Sequence, residues 1–181
     1  RMEAGIQGDG RMKEQIYLIG FMGSGKSSVS RRLAALLGIK CLEMDDILKT
    51  EAGKEITQIF AEDGEEAFRR METGLLARLS GEDAIVVSCG GGAALRPENV
   101  EYMKKKGTVV LLCASPEEIY QRVRHSTNRP VLAGHMNVEY IAELMAAREP
   151  MYREAADLVV ETDRRSLDEI AGEISRKLEE I

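Results

Sequence analysis

The sequence predicts an α/β protein built on a doubly wound parallel sheet. Apolar runs of strand length alternate along the chain with segments whose apolar residues recur at helical spacing. Few polar residues interrupt these runs, which is typical of strands that helices cover on both faces. With 181 residues, 44% of them hydrophobic, the chain is long enough to form one domain with a full core.

Composition argues against several classes of partner. The formal net charge is −6, and no basic patch with interleaved aromatic residues is present, so we expect no nucleic-acid partner. No run approaches the ~18 apolar residues of a membrane span, and we expect a cytoplasmic protein without a membrane partner. Cys41, Cys89 and Cys113 lack C-x-x-C spacing, which favours reduced thiols. A monomer is expected because no long apolar surface pattern is left over.

The first predicted strand, Ile16–Ile19, leads into Gly20-Phe21-Met22-Gly23-Ser24-Gly25-Lys26-Ser27 and then into a helix with Val29, Leu33, Leu36 and Leu37. In this context G-x-x-x-x-G-K-[ST] forms a phosphate-binding loop, whose N–H groups surround a polyphosphate. Lys26 is expected to reach the β- and γ-phosphates, and the Ser27 hydroxyl to ligate Mg²⁺. The residues expected to bind the nucleotide phosphates are Gly23, Ser24, Gly25, Lys26, Ser27 and Ser28. A glycine-rich turn without a ligand is the alternative.

The second predicted strand, Ile39–Met44, ends at two carboxylates beside the phosphate loop. Glu43 and Asp45 alternate along an extended chain, so both side chains are expected to point the same way. One could hold Mg²⁺ through a water molecule, and the other could accept a proton from an attacking hydroxyl. The alternative is an acidic N-cap, with Asp45 or Asp46 opening a helix.

Two helices are predicted next, over Ile56–Ala61 and Glu65–Leu79. Glu72 falls on the apolar stripe of the longer helix, where a carboxylate is costly unless it is paired. Arg69 is three residues earlier and within pairing reach. Glu72 could therefore hold the Arg69 guanidinium towards a carboxylate ligand, or the two could form an ordinary surface ion pair.

The third predicted strand, Ala84–Cys89, ends in Gly90-Gly91-Gly92. Three glycines allow the backbone to approach a ligand closely, although a plain turn before a helix at Pro97 is the alternative. A fourth strand is predicted over Thr108–Cys113, followed by a helix that begins at Ser115-Pro116.

A polar loop with a cluster of cations follows that helix at residues 125–135. Such loops suit a mobile lid over phosphates, and a solvated loop is the alternative. The next helix is predicted over Val138–Glu149, ended by Pro150, with Arg148 at the border of its apolar face. A last strand at Asp157–Glu161 and a helix at Leu167–Ile181 complete the chain.

Six motifs in this order resemble the shikimate kinases, small P-loop kinases related to nucleoside monophosphate kinases. The resemblance runs from Gln15 to the C-terminus. The motifs are Gly20–Ser27, Glu43-Met44-Asp45, Phe68-Arg69-Arg70-Met71-Glu72, Gly90-Gly91-Gly92, Asn128-Arg129-Pro130-Val131-Leu132-Ala133-Gly134 and Ala147-Arg148-Glu149-Pro150-Met151-Tyr152.

The resemblance implies a five-stranded parallel sheet in the order 2-3-1-4-5, flanked by helices. One domain is expected over residues 15–181, with substrate-binding helices at about 45–80 and a lid at about 125–137. Residues 1–14 are polar and aperiodic, so we expect a disordered leader, an expression remnant or the tail of a fused segment there.

The implied reaction transfers the γ-phosphoryl group of ATP to the 3-hydroxyl of shikimate, with Mg²⁺. By position, Arg69, Arg148 and Gly90–Gly92 would bind shikimate, and Asp45 would orient or deprotonate its 3-hydroxyl. Lys26 and Arg129 would stabilise the transferring phosphoryl group. The residues implied at the adenine side are Arg122, Arg165 and Ser166.

Two positions depart from the family's pattern. Glu43 stands where Asp is usual, which puts the geometry of Mg²⁺ coordination through water in doubt, and Leu167 stands where Pro is frequent. Two alternatives stay open at this point. One is another small-molecule P-loop kinase, such as a gluconate or nucleotide kinase, and the other is a non-catalytic nucleotide-binding module.

Overall fold

The computed structural model describes residues 15–126, 129–132 and 134–181. The expected leader at 1–14 lies outside the described residues, as do Thr127, Asn128 and Ala133 of the expected lid.

Five parallel strands form one sheet in the order β2-β3-β1-β4-β5. Their bounds are Gln15–Ile19 for β1, Lys40–Glu43 for β2, Ile85–Ser88 for β3, Gly107–Cys113 for β4 and Leu158–Glu161 for β5. The predicted fold class and strand order are confirmed. Because the strands are parallel, their carboxyl ends share one edge, and the order reverses at β1, where open α/β sheets form a crevice.

Eight α-helices are present in the described part of the chain. They span Lys26–Leu37 (α1), Met44–Ala52 (α2), Ile56–Asp63 (α3), Glu65–Leu79 (α4), Pro97–Lys106 (α5), Pro116–Val123 (α6), Val138–Ala155 (α7) and Leu167–Glu179 (α8). Short 3₁₀ helices occur at Ala93–Leu95 and Pro130–Leu132.

Helices cover both faces of the sheet, as the continuous apolar strands predicted. Successive side chains of β1 point to opposite faces, and all are buried. Ile16 and Leu18 pack in a core with residues of α1 and α8, whereas Tyr17 and Ile19 pack in a larger core with residues of α2 to α7. On α1, Val29 and Leu33 are buried, but Leu36 and Leu37 are exposed.

The predicted end of α7 is wrong. The helix continues through Pro150 to Ala155, although proline supplies no N–H to the helical ladder. The turn after Pro150 carries Tyr152 and Ala155, which are 3% and 2% exposed. Their burial keeps the chain helical, because tertiary packing of an apolar face contributes most of a helix's stability.

Two glycine substitutions with opposite expected effects test the packing of the sheet and α8. A Cβ at Gly107 would lie 2.6 Å from the Tyr17 ring and collide with Met103 O, whereas nothing lies within 4 Å of a Cβ at Gly172. Gly107→Ala should lower the free energy of unfolding by about 1–3 kcal/mol through overpacking. Gly172→Ala, inside α8, should raise it by about 0.5–1 kcal/mol. Urea denaturation of both variants measures these changes, and equal effects would contradict the packing described.

Candidate active site

A cavity of about 370 Å³ opens at the carboxyl edge of the sheet. The predicted site residues that line it are Ser27, Glu43, Asp45, Arg69, Gly90, Gly91, Gly92, Arg129 and Arg148. Segments far apart in sequence, from the phosphate loop to α7, thus meet at one place. Arg122, Arg165 and Ser166 do not line this cavity. Arg122 contacts the phosphate loop, and the other two contact residues of α8.

The phosphate loop holds the Lys26 ammonium inside the protein. Gly23 and Gly25 adopt positive φ angles of 78° and 95°, which glycine allows without strain. Lys26 Nζ donates to Gly20 O at 2.7 Å and to Phe21 O at 3.0 Å. Burial lowers the Lys26 pKa to about 8; nearby Asp45 opposes this change, and nearby Arg129 adds to it.

The two predicted carboxylates line the cavity, but the structural basis expected for them is wrong. Glu43 ends β2, whereas Asp45 lies in the first turn of α2 and not on an extended chain. Neither Asp45 nor Asp46 is the N-cap, because Glu43 occupies that position without a side-chain capping bond. Both side chains reach the cavity because the helix begins directly at the strand end.

Their surroundings differ. Glu43 Oε1 is buried and lies 3.7 Å from Arg31 Nη1, too far for a hydrogen bond. Asp45 Oδ1 is buried without a hydrogen-bond partner among the described residues. Burial raises the pKa of Asp45, while the nearby charges of Lys26 and Arg129 act in the opposite direction. Asp45 therefore has the surroundings of a proton acceptor whose ionised form depends on neighbouring cations.

Arg69 and Glu72 form the pair suggested by their spacing on α4, and it is not a surface pair. Arg69 Nη1 lies 2.7 Å from Glu72 Oε1, and the two side chains are 13% and 0% exposed. Phe60 and Phe68 flank the guanidinium, with ring centroids 5.8 and 5.4 Å from Arg69 Cζ. Burial raises the pKa of Glu72, and Arg69 acts against that rise.

The three glycines after β3 let α2 and α4 approach the sheet closely. A Cβ at Gly90 would lie 2.7 Å from Glu72 Oε2 and 3.3 Å from Asp45 Oδ1, and one at Gly92 would collide with the Arg69 guanidinium. This segment, Gly90–Gly92, is the glycine turn. The absence of a side chain at Gly90 and Gly92 therefore makes room for the Glu72 carboxylate and the Arg69 guanidinium.

Arg148 enters the cavity from α7. It is 7% exposed, and its Nη1 atom has no hydrogen-bond partner in the described part of the chain. The guanidinium lies over the Phe21 ring, with Cζ 5.5 Å from the ring centroid. Tyr152, one turn further along α7, donates from its hydroxyl to Gly91 O. Phe21 and Tyr152 therefore hold the Arg148 side of the cavity.

Arg129 and Leu132 bring the expected lid to the cavity. Leu132 is 1% exposed, and Arg129 lines the cavity close enough to influence the charges of Lys26 and Asp45. Arg129 Nε is buried and finds no hydrogen-bond partner in residues 15–126, 129–132 and 134–181. The positive charges of Lys26 and Arg129 and the carboxylate of Asp45 thus lie close together where the phosphate loop meets the cavity.

The expected adenine side has a different character. Arg122 donates to Gly23 O at 3.1 Å, which attaches α6 to the phosphate loop. Arg165 is engaged with α8, since it donates to Glu173 Oε2 at 2.6 Å. The Ser166 hydroxyl caps α8 by accepting from the Glu169 N–H. The side chains of Arg165 and Ser166 are therefore committed to the protein itself.

Sequence reasoning assigned no role to Tyr152, Phe21 or Arg31. Tyr152 follows Arg148 by four residues, and this helical spacing could have indicated that the two act together. Phe21 and Arg31 gave no comparable signal, because the first occupies a free position of the phosphate-loop motif and the second an exposed position of α1.

The chain is similar over most of its length to proteins of one family. A family model described as shikimate kinase matches residues 22–179. The shikimate kinase of Symbiobacterium thermophilum is 43% identical over 167 residues, which cover 91% of this chain and 96% of that protein. A solved shikimate kinase from Acinetobacter baumannii, in complex with shikimate, has a TM-score of 0.88 at 36% identity and covers 92% of this chain and 93% of that one. A gluconokinase from Sinorhizobium meliloti covers 94% of each chain, with a TM-score of 0.58 at 23% identity, and shares the fold alone.

The phosphate-binding role expected for Lys26, together with its lowered pKa, predicts that ATP binding weakens in alkaline solution. Above a pH of about 8 the free protein increasingly holds a neutral Lys26, which must gain a proton to bind phosphates. The dissociation constant for ATP should therefore rise by up to about tenfold per pH unit above that point. Calorimetric titration between about pH 7 and about pH 10 measures it. Lys26→Arg is the control, since a guanidinium keeps its proton throughout this range. A flat profile for the unmodified protein would contradict the assigned pKa.

Proposed function

The chain belongs to the shikimate kinase family and transfers the γ-phosphoryl group of ATP to the 3-hydroxyl of shikimate; we propose that the cavity at the carboxyl edge of the sheet is its active site. The observation that carries this assignment is the convergence of Arg69 and Arg148 on the glycine turn, beside Lys26 and Asp45. Two guanidinium groups next to a phosphate loop can bind an acceptor that carries a carboxylate.

Arg69 and Arg148 bind the carboxylate of shikimate in this proposal. Glu72 holds the Arg69 guanidinium in place, and Arg148 Nη1 is left available for a ligand atom. The backbone of Gly90–Gly92 lies between the two arginines and contacts the ring of the substrate. Because the guanidinium groups are held before binding, little side-chain entropy is lost when the carboxylate arrives.

Asp45 receives the proton of the 3-hydroxyl, or orients that hydroxyl for attack. Its Oδ1 atom is buried and free of hydrogen bonds from described residues. A raised pKa makes the carboxylate a stronger base than an exposed aspartate. Lys26 and Arg129 keep it ionised through their nearby positive charge.

Lys26 and Arg129 donate to the oxygens of the transferring phosphoryl group. Charge spreads over these oxygens during transfer, and fixed donors in a water-poor site stabilise it. The segment at about 125–137 acts as the lid, and the buried side chain of Leu132 packs against the hydrophobic core. The N–H groups and side chains of residues 23–28 hold the other phosphates.

Adenine binds beside Arg122, with the segment from Thr162 to Leu167 on its other side. Arg122 is fixed for this role by Gly23 O and by Thr162 Oγ1, at 3.1 and 3.5 Å. Arg165 and Ser166 contribute by holding that segment against α8.

Ser27 and Glu43 hold Mg²⁺ in this proposal, with Glu43 acting through a water molecule. Both line the cavity, and the buried Glu43 Oε1 accepts no hydrogen bond from any described residue. Within the described part of the chain, no group of three or more His, Cys, Asp or Glu side chains is placed to hold a metal ion. This arrangement fits Mg²⁺, which commonly binds through one or two protein groups together with waters and substrate phosphates. When bound, Mg²⁺ would neutralise part of the negative charge on the phosphates.

We further propose a cytoplasmic monomer without a nucleic-acid partner. The net charge of −6 disfavours binding to a polyanion. The exposed large apolar side chains are Leu36, Leu37, Met151, Leu167 and Ile181. No helix in the described part of the chain is long and apolar enough to cross a membrane.

Acceptor-dependent ADP release tests whether Arg69 and Arg148 bind the carboxylate of shikimate. With MgATP, shikimate should support release, whereas gluconate and AMP should not. Arg148→Ala should raise the KM for shikimate by about 10- to 100-fold, because it removes charge-assisted hydrogen bonds to a buried carboxylate. The KM for ATP should stay nearly unchanged.

Arg153→Ala is the matched control for Arg148→Ala. Arg153 lies on the same helix but is exposed and paired with Glu149, so its loss should change neither KM. If Arg148→Ala leaves the shikimate KM at the wild-type value, the proposed carboxylate grip is wrong. Release with gluconate or AMP in place of shikimate would overturn the substrate assignment itself.

The proposed Mg²⁺ role of Glu43 predicts an altered metal requirement. Glu43→Gln should raise the Mg²⁺ concentration for half-maximal activity about tenfold, since the neutral amide holds a metal-bound water less strongly. It should also weaken Mn²⁺ binding to the ADP complex, measured by paramagnetic resonance. Glu43→Asp should retain both properties. Glu55→Gln, which changes an exposed carboxylate at the cavity's rim, is the control. Unchanged metal binding in Glu43→Gln would remove Glu43 from the metal site.

A further inference from the structure

A buried amide connects the two walls of the acceptor site. Asn99, on α5, is 0% exposed. Its Nδ2 atom donates to Ala93 O at 2.8 Å, directly after the glycine turn. Its Oδ1 atom accepts from the Thr73 hydroxyl, on α4, at 2.7 Å. The orientation of the amide is unambiguous, because the reverse would place two acceptors, Asn99 Oδ1 and Ala93 O, against each other.

The bridge is close to the residues that grip the substrate. Thr73 is one helical turn after Arg69, and its Oγ1 atom also lies 3.1 Å from Arg69 O. Ala93 follows Gly92, whose backbone packs so closely on the Arg69 guanidinium that no Cβ could be accommodated. The amide therefore links the Ala93 backbone to the Thr73 side chain, on either side of the contact between Arg69 and Gly92.

A second connection lies at the exposed side of the same interface. Arg96 Nη2, at the start of α5, lies 2.6 Å from both carboxylate oxygens of Glu66 on α4. Exposed ion pairs contribute little free energy, whereas a buried hydrogen bond leaves a costly unpaired group when it is broken. The amide of Asn99 is thus the stronger of the two connections.

We propose that Asn99 and Thr73 are positioning residues, which hold Arg69 on α4 in register with the glycine turn so that both contact the acceptor together. Neither Asn99 nor Thr73 lines the cavity. Its loss would let α4 move relative to the glycine turn, and a displacement of a fraction of an ångström is enough to weaken binding and catalysis. This inference rests on the proposed function of the cavity.

Thr73→Val tests the proposal, because it keeps the shape of the side chain and removes the hydroxyl. We expect kcat/KM for shikimate to fall about tenfold, whereas the KM for ATP should change by less than about twofold. Thr73→Ser restores the donor and should restore kcat/KM for shikimate. If Thr73→Val does not fold, Thr73→Ala provides the same comparison.

Tyr17→Phe is the matched control, since it removes another buried hydrogen bond from a hydroxyl to an amide oxygen. Tyr17 donates to Gln15 Oε1 at 2.8 Å, in β1 and away from the cavity. Both variants should lower the Tm by about 3 °C, but only Thr73→Val should change the kinetics with shikimate.

Three outcomes would overturn the proposal. The first is an unchanged kcat/KM for shikimate in Thr73→Val, and the second is an equal loss in Tyr17→Phe. The third is a failure of Thr73→Ser to restore activity. A wild-type protein that does not phosphorylate shikimate would instead contradict the proposed function, so the two failures are distinguishable.

Discussion

The close approach of three helices to a backbone segment without side chains is the constraint on which the site depends. Glu72 and Arg69 of α4 and Asp45 of α2 all lie where a side chain at Gly90 or Gly92 would stand, and α7 reaches Gly91 O through a tyrosine. A larger residue at Gly90 would displace the Glu72 carboxylate, and one at Gly92 would displace the Arg69 guanidinium. These charges can therefore lie beside the end of β3 because Gly90 and Gly92 carry no side chain.

The same packing leaves charged atoms without partners. Asp45 Oδ1, Glu72 Oε2 and Arg148 Nη1 are buried and make no hydrogen bond within the described part of the chain. A buried unsatisfied polar atom destabilises a folded protein by about 1–3 kcal/mol. An acceptor with one carboxylate and several hydroxyls offers both donors and acceptors to these atoms, so its binding recovers part of that free energy. The same buried, unpaired atoms thus pre-organise the site and lower the stability of the folded protein without its substrate.

The topology could be predicted because strand and helix signals alternate along the whole chain and one motif marks the first crossover. Local patterns were less reliable where tertiary contacts decide. Pro150 predicts the end of a helix, but α7 continues past it because Tyr152 is buried against the core. Asp45 reads as part of a strand, yet α2 begins one residue earlier. The bridge from Thr73 to Asn99 has no sequence signal, because it joins two ordinary polar residues 26 positions apart.

The phosphate loop packs against the proposed acceptor site, because two variable positions of its motif, Phe21 and Met22, contact residues of that site. The Phe21 ring lies under the Arg148 guanidinium, and Met22 N lies 3.4 Å from where a Cβ of Gly91 would stand. In-line transfer requires the attacking and leaving groups to be held at a fixed separation. A shift of the loop would move Arg148 and the glycine turn with it, so the nucleotide and the acceptor stay in register. In the proposed function, the glycines, Lys26 and Ser27 of the motif would bind the phosphates, and its variable residues would set the distance to the acceptor.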